Sequence, residues 1–174
     1  MLILAKVLIL LCLFWVFSCK NAQKSIANSK SGNLEVPVET LSSTCPHSIK
    51  QGISGRVWWR EGDFMPTIGD AVTGKNKPVA RTLNIYRLVK ESQTTKQDRF
   101  YTRIDAELVK TVKSNEYGCF AVELDEGKYS ILSVEQGKGL YANSFDGEMN
   151  IFPVQVEKGK VTQIEFYIDY MATY

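Results

Sequence analysis

Residues 45 to 174 carry apolar side chains at about every second position, interrupted by short turn-forming segments, and show no stripe of helical period. Successive residues of a β-strand point to opposite faces, so this pattern predicts strands with one buried face. The expected strands are Ile53 to Trp59, Thr82 to Val89, Ala106 to Lys113, Cys119 to Leu124, Lys128 to Val134, Ile151 to Val156 and Val161 to Tyr170. About seven short strands separated by turn signals favour an all-β fold, an antiparallel β-sandwich.

Three segments between the expected strands combine Gly or Asn with charged residues: 114–118, 125–127 and 157–160. Gly and Asn adopt positive φ at little cost, so each segment is predicted to be a hairpin turn. Pro153 has no backbone N–H to donate to a neighbouring strand, and the strand that contains it is therefore predicted to lie at a sheet edge.

The same alternation assigns side chains to faces. Val57 and Trp59 share one side of their strand. Two further rows are expected to meet them in the core: Phe120, Val122 and Leu124, and Ile164, Phe166 and Ile168. Burying a large apolar side chain contributes roughly 1.5 to 3 kcal/mol, so these rows should supply most of the hydrophobic stabilisation.

Five short segments together fit the pattern of a known domain family: Gly55-Arg56-Val57, Pro78-Val79, Asn84-Ile85-Tyr86, Ser114 to Val122 and Leu124 to Tyr129. In these segments the chain resembles the carboxypeptidase regulatory-like domain. The resemblance implies an immunoglobulin-like or transthyretin-like sandwich, a module that occurs beside peptidases, before outer-membrane transporters and alone in lipoproteins of Bacteroidetes-type bacteria. The matching residues serve turns and core, so the resemblance supplies no catalytic residue.

This chain departs from the family pattern in two long polar segments. Residues 90–102 form a polar insertion, and residues 60–77 form a loop that is longer than a simple sandwich needs. Long loops on a rigid scaffold are frequent sites of function.

The amino terminus carries an apolar run from Val7 to Phe17 behind Lys6, which is shorter than the roughly 20 residues of a membrane-spanning helix. The run ends in Val16-Phe17-Ser18-Cys19, which resembles the lipobox of bacterial lipoproteins. That resemblance implies cleavage after Ser18 and acylation of Cys19, with ordinary secretion as the alternative. Stable anchoring needs at least two acyl chains, and such an anchor attaches a protein to a membrane that it does not cross.

Residues 1–18 are thus expected to be a signal peptide, residues 19–44 a lipidated flexible tether, and residues 45–174 one sandwich domain. The tether is rich in Ser, Asn and Lys and poor in aromatic residues, so it cannot bury enough surface to fold. The stretch directly after Cys19, Lys20-Asn21-Ala22-Gln23-Lys24, lacks the acidic residues that often follow the acylated cysteine of surface-exposed lipoproteins. This favours the periplasmic face of the outer membrane.

Four cysteines are present, of which Cys12 lies in the signal peptide and Cys19 is expected to be acylated. Cys45 and Cys119 remain as a candidate disulfide in an oxidising compartment. The alternative is a thiol nucleophile at Cys45 with His47 as its base, for which no Asn or Asp partner is identifiable. Because His47 is the only histidine, a zinc peptidase site lacks its ligands, and we expect no metal and no cofactor.

The formal net charge is only +2 and the charges are interspersed, so no nucleic-acid partner is expected. One group of residues combines flat aromatic side chains with polar ones, as sites for sugars or peptides do. These candidate ligand-binding residues are Trp58, Phe64 and Met65 near the first long loop and Tyr141, Asn143, Phe145 and Asp146 after the fifth expected strand. The simpler interpretation is that Trp58 and Tyr141 cover an open end of the sandwich.

Together these features predict a non-enzymatic envelope lipoprotein that serves as a binding or accessory module. Its expected partners are the membrane, through the lipid anchor, and an envelope protein, a peptide or a glycan. The alternatives are a carbohydrate- or peptide-binding protein that uses the aromatic loops, and an envelope enzyme that uses Cys45 and His47.

Overall fold

A computed structural model describes residues 45–65 and 73–174, and these residues form eleven β-strands and a single turn of 3₁₀-helix. The 3₁₀ turn is Glu91–Gln93. The strands are β1 (Gly52–Asp63), β2 (Lys75–Pro78), β3 (Thr82–Arg87), β4 (Thr94–Gln97), β5 (Phe100–Ile104), β6 (Leu108–Lys113), β7 (Cys119–Glu123), β8 (Gly127–Glu135), β9 (Gly139–Tyr141), β10 (Pro153–Val156) and β11 (Val161–Thr173).

Four strands form a small sheet around β1. On one edge β1 pairs in parallel with β11 over nearly its whole length, from Gly52 opposite Val161 to Asp63 opposite Thr173. On the other edge the first half of β1 pairs with β7 and the second half with β2, both antiparallel. The first and last strands of the domain therefore lie side by side and run in the same direction.

Seven strands form a large antiparallel sheet in the order β4-β5-β9-β8-β3-β6. β10 pairs with the first half of β8, on the same edge on which β9 pairs with the second half. Among the described strands β10 has no other partner, which confirms the prediction that the strand with Pro153 lies at an edge.

The main core lies between the two sheets. Alternation directs the predicted apolar rows inward, and Val57, Phe120 and Phe166 are each at most 4% exposed. From the large sheet they meet Leu83, Ile85, Tyr129, Ile131, Val154 and Val156. The all-β sandwich and the predicted faces are thus confirmed, with Trp59 and Ile164 as partly buried members of their rows.

The three predicted hairpin turns are turns, but they are not hairpins. Residues 114–118 connect β6 to β7, residues 125–127 connect β7 to β8, and residues 157–160 connect β10 to β11. In each case the two flanking strands belong to different sheets and do not pair. The prediction of hairpins was wrong, because these turns carry the chain from one sheet across the core to the other.

The polar insertion at residues 90–102 is not an unstructured loop. It contains the 3₁₀ turn and β4, and it leads into β5, which pairs with β4 and extends the large sheet. This region covers a second core on the outer side of the large sheet, where Tyr101, Leu132 and Ile151 are at most 1% exposed.

The signal peptide, Cys19 and the tether predicted for residues 1–44 lie outside the described residues. The described residues fall within one compact unit, Leu41–Tyr174. In this part of the chain no helix is long and apolar enough to cross a bilayer.

Candidate functional site

The outward side of the small sheet is lined by residues that alternate with the core. On β1, Arg56, Trp58 and Arg60 are interleaved with the buried Val57 and the inward-facing Trp59. On β11, Glu165 and Tyr167 are interleaved with Phe166 and Ile168 in the same way. Because β1 and β11 pair in parallel, these two polar and aromatic rows lie next to each other.

Trp58 lies in the middle of this surface, directly opposite Tyr167 in the strand register. Its indole Nε1 donates a hydrogen bond to the Glu165 carboxylate on the neighbouring strand. The guanidinium carbon of Arg56 lies 5.4 Å from the centre of the Trp58 ring. The indole is therefore held in place while its side chain stays half-buried.

Arg60 packs against the aromatic rings at the end of this surface that lies away from Arg56. Its guanidinium carbon lies 3.9 Å from the centre of the Tyr167 ring and 5.7 Å from that of Phe64. Phe64 stacks on Tyr174, with ring centres 5.7 Å apart and an interplanar angle of 26°. We call this surface the outer aromatic face, and define it by Arg56, Trp58, Arg60, Phe64, Tyr167 and Tyr174.

A disulfide borders the other end of the outer aromatic face. Cys45 and Cys119 are bonded, with an S–S distance of 1.96 Å. Cys119 alternates with the buried Phe120, so the bond attaches the segment before β1 to the outward side of β7. Arg56, which is only 5% exposed, directs Nη2 to Cys119 Sγ at 3.8 Å. Cys45 therefore has no free thiol to act as a nucleophile.

A small cavity of about 190 Å³ lies beside this disulfide. Its polar lining includes Ser54, Gln163 and Glu165, which present hydroxyl, amide and carboxylate groups. The cavity is smaller than the several hundred Å³ typical of sites for drug-sized ligands. It has room for one small polar group.

Tyr141 lies inside the sandwich and is 6% exposed. Its ring packs at 5.2 Å from Tyr170 and 5.9 Å from Phe100, in a cluster that also contains Trp59. Burial and a hydrogen bond to the Asp169 carboxylate raise the pKa of the Tyr141 phenol well above its usual value. Tyr141 thus covers one end of the sandwich, together with Trp59 and not with Trp58.

Asp169 connects this cluster to the outer aromatic face. It accepts hydrogen bonds from Tyr141 Oη at 2.6 Å, Asn143 Nδ2 at 3.2 Å and Tyr174 Oη at 2.9 Å. The register of β1 against β11 shifts at this point, so that Asp169 and Tyr170 together lie opposite Arg60. Such a bulge redirects side chains, and here the carboxylate meets three donors from two segments, the end of β9 and the residue after β11.

The remaining candidate residues lie apart from the outer aromatic face or at its border. Asp146 closes its own turn, because its carboxylate accepts hydrogen bonds from the backbone N–H groups of Glu148 and Asn150 and from Asn150 Nδ2. Lys96 lies 4.8 Å from the centre of the Phe145 ring. Met65 follows Phe64 and is 47% exposed.

The structure thus separates the predicted ligand-binding residues into different places. Trp58 and Phe64 belong to one surface, while Tyr141 and Asn143 reach it only through Asp169. Sequence reasoning missed Arg60, Tyr167, Asp169 and Tyr174. The alternation that assigned Phe166 and Ile168 to the core already placed Tyr167 outward, but nothing in the sequence places β11 beside β1.

A second concavity of about 440 Å³ opens between the edges of the two sheets. It is lined by Lys50, Arg87, Lys110, Glu123, Asp125 and neighbouring apolar residues. Lys110 Nζ donates to the Glu123 carbonyl across it at 2.6 Å, and Arg87 is engaged by Glu107 and Tyr129. The Lys110 hydrogen bond joins β6 of the large sheet to β7 of the small sheet, whereas the Arg87 contacts stay on the large-sheet side.

Comparison of the chain with protein-family models, with curated proteins and with solved structures finds no match.

Proposed function

We propose that this chain is a lipid-anchored, non-enzymatic binding module of the cell envelope, and that the outer aromatic face is its ligand-binding surface. The observation that carries this proposal is the continuous row of aromatic rings, with Arg60 among them and the buried Arg56 at one end, on the outward side of the small sheet. Aromatic and arginine side chains are enriched where proteins bind their ligands.

The position of this surface supports the proposal. Its residues project from two long paired strands, and the disulfide and the Asp169 hydrogen bonds fix both of its ends. Binding to a surface that is already ordered costs less conformational entropy than binding to a loop. A flat sheet face of this kind fits a carbohydrate better than a globular partner, since sugar rings can stack on aromatic rings.

Two sequence features support the location. The lipobox-like Val16 to Cys19 provides for lipid attachment, and a disulfide between Cys45 and Cys119 is typical of proteins outside the cytosol. We place the protein on the periplasmic face of the outer membrane, and we include the carboxypeptidase regulatory-like relationship in the proposal on the residues that resemble that domain.

The lipid anchor has a direct test. A Cys19→Ser variant should lose the acyl groups and move from the membrane to the soluble fraction, as shown by mass spectrometry and cell fractionation. A variant that stays membrane-bound with an unchanged mass would contradict the anchor.

Tryptophan fluorescence tests the binding surface. Of the three tryptophans, Trp15 leaves with the signal peptide, so the mature protein contains only Trp58 and Trp59. In a Trp59→Phe variant the remaining Trp58 reports on the outer aromatic face, and in Trp58→Phe the remaining Trp59 reports on the core. A ligand from a glycan and peptide panel should change the emission of the first variant and leave the second unchanged.

Two results would count against the binding surface. If no member of the panel changes Trp58 emission, the ligand-binding role fails and an accessory role in an envelope complex remains. If only Trp59 responds, the ligand binds elsewhere on the protein.

A further inference from the structure

We propose that Arg60 is an anion-binding residue, and that the ligand of the outer aromatic face is an acidic carbohydrate whose carboxylate pairs with this guanidinium. The inference rests on the proposed function and adds the chemical class of the ligand.

Arg60 is held in a fixed position. Tyr167 lies beneath its guanidinium, Phe64 flanks it, and Nη1 is 3.5 Å from Tyr174 Oη. Stacking on an aromatic ring orients a guanidinium and leaves its N–H edges directed outward. A pre-oriented guanidinium loses little freedom when it forms two parallel hydrogen bonds to a carboxylate.

Within the described part of the chain, Arg60 has no carboxylate partner. Its Nε is buried and makes no hydrogen bond there. Other cations do have acidic partners at ion-pair distance: Lys77, Arg81, Arg87, Lys96, Arg103 and Lys160. Because Nε is closed off from solvent while the residue as a whole is only half-buried, a ligand carboxylate would pair with the Nη1 and Nη2 side of the guanidinium.

The nearest acids on β11 are already engaged. Glu165 accepts from Trp58, and Asp169 accepts from Tyr141, Asn143 and Tyr174. The fold therefore keeps these two carboxylates on other donors and leaves the guanidinium beside the rings. A carboxylate from a ligand supplies the negative charge that pairs with the Arg60 guanidinium.

The rest of the surface favours a carbohydrate over an acidic peptide. Peptide recognition usually needs side-chain pockets or a free strand edge, whereas this surface is the flat side of a sheet. The small cavity beside the disulfide has hydroxyl, amide and carboxylate groups, which suit sugar hydroxyls. From Arg56 to Arg60 the strand spans about 13 Å, so the ligand has to be an oligosaccharide.

The test compares galacturonate oligosaccharides with the same oligosaccharides after methyl esterification, which removes the charge and keeps the sugar rings. Full-length protein in detergent is titrated by calorimetry, and its Trp59→Phe variant is titrated by Trp58 emission. The acidic form should bind more tightly than the ester, by about tenfold or more for one charge-assisted carboxylate pair. Raised salt should weaken only the acidic form.

Variants assign the effect to Arg60. Arg60→Gln should remove the preference for the acidic form, and Arg60→Lys should restore it only in part, because an ammonium lacks the planar fork. Arg103→Gln is the matched control, since Arg103 lies on β5 of the large sheet and pairs with Asp105. Urea unfolding of each variant shows whether it is folded. If Arg60→Gln does not fold, the comparison of acidic and esterified oligosaccharides on the unmodified protein still tests the proposal.

The outcomes separate this inference from the proposed function. Equal binding of acid and ester, unaffected by Arg60→Gln, would overturn the anion site and leave a glycan-binding surface. Arg60-dependent binding of polyglutamate without binding of the uronates would overturn the carbohydrate class. Loss of any Trp58 response to every probe would remove both proposals.

Discussion

Two glycines with nearly the same backbone conformation lie in very different surroundings. Gly118 has φ of +75° and Gly159 has φ of +68°, both in the left-handed region that favours glycine. A Cβ on Gly118 would lie 2.4 Å from the Val57 carbonyl oxygen, whereas one on Gly159 would meet nothing within 4 Å. Comparing alanine substitutions at these two glycines therefore separates the cost of backbone strain from the cost of steric overlap.

Gly159→Ala should lower the free energy of unfolding by about 1 kcal/mol, the cost of a left-handed alanine. Gly118→Ala should cost about 1–3 kcal/mol more, because β1 or the β6–β7 turn has to move. Urea denaturation of both variants measures the difference. Equal losses would mean that Gly118 does not lie against β1 as described.

Tyr170 gives the domain a sensitivity to alkaline pH. Burial, with a hydrogen bond to the Glu135 carboxylate at 2.9 Å, raises the pKa of Tyr170 to about 12. A phenol whose pKa is higher in the folded state stabilises that state below its unfolded pKa of about 10. This contribution is lost as the pH rises from about 10 to about 12.

The stability of the protein should therefore fall over this pH range, and phenolate absorbance should show a late-titrating tyrosine. Tyr170→Phe should remove the titration near pH 12 and lower stability at neutral pH by about 1–3 kcal/mol, because the buried Glu135 loses a donor, while Tyr141, whose pKa is also raised, still titrates late. Tyr117→Phe, at a residue that is 56% exposed, is the control and should change neither property. A titration near pH 12 that survives unchanged in Tyr170→Phe would assign it to another tyrosine.

At the level of elements, the disulfide fastens the segment before β1 to β7. It closes a loop with a sequence separation of 74 residues, for which the chain-entropy model gives roughly 4.5 kcal/mol. Measured effects are usually smaller, so Cys45→Ser combined with Cys119→Ser should lower the free energy of unfolding by about 2–4 kcal/mol. Urea denaturation with and without reductant tests this, and the reductant should have no effect on the double variant.

The strands that the sequence could predict are those with a buried face. β1, β3, β7, β10 and β11 alternate because one side of each packs in the main core, whereas β8 is apolar on both sides, which face the two cores, and β6 packs through Val109 and Val112. The short strands β2, β4 and β9 have little or no such alternation, as in Lys75–Pro78 and Thr94–Gln97, and pairing with longer strands holds them in place. Their existence depends on neighbours that are distant in sequence.

The hairpin error has a related cause. Gly and Asn at residues 114–118 indicate that the chain reverses direction. These residue types occur both in turns between paired strands and in turns between stacked sheets, so they do not distinguish the two. The difference lies in which sheet each flanking strand joins. β7 pairs with β1 in the small sheet and β6 pairs with β3 in the large sheet, so the turn between them passes from one sheet to the other.

At the scale of the whole molecule, the outer aromatic face is assembled from the two ends of the domain. Trp58 and Phe64 were identified from the sequence because they are aromatic residues near a long loop. Arg60 shares the outward side of β1 with Trp58 by alternation, whereas Tyr167 and Tyr174 became part of the same surface only through the parallel pairing of β1 with β11, which joins Trp58 to Tyr167. Local sequence patterns contain no signal for a pairing between such distant strands.

The most direct measurement is NMR mapping of amide and side-chain shifts during titration with galacturonate oligosaccharides. The account expects the largest shifts on the outward residues of β1 and β11, at Trp58, Arg60 and Tyr167, with little change in the concavity between the sheet edges at Lys110 and Glu123. Shifts that cluster around Lys110 and Glu123 while Arg60 and Tyr167 stay unchanged would contradict it.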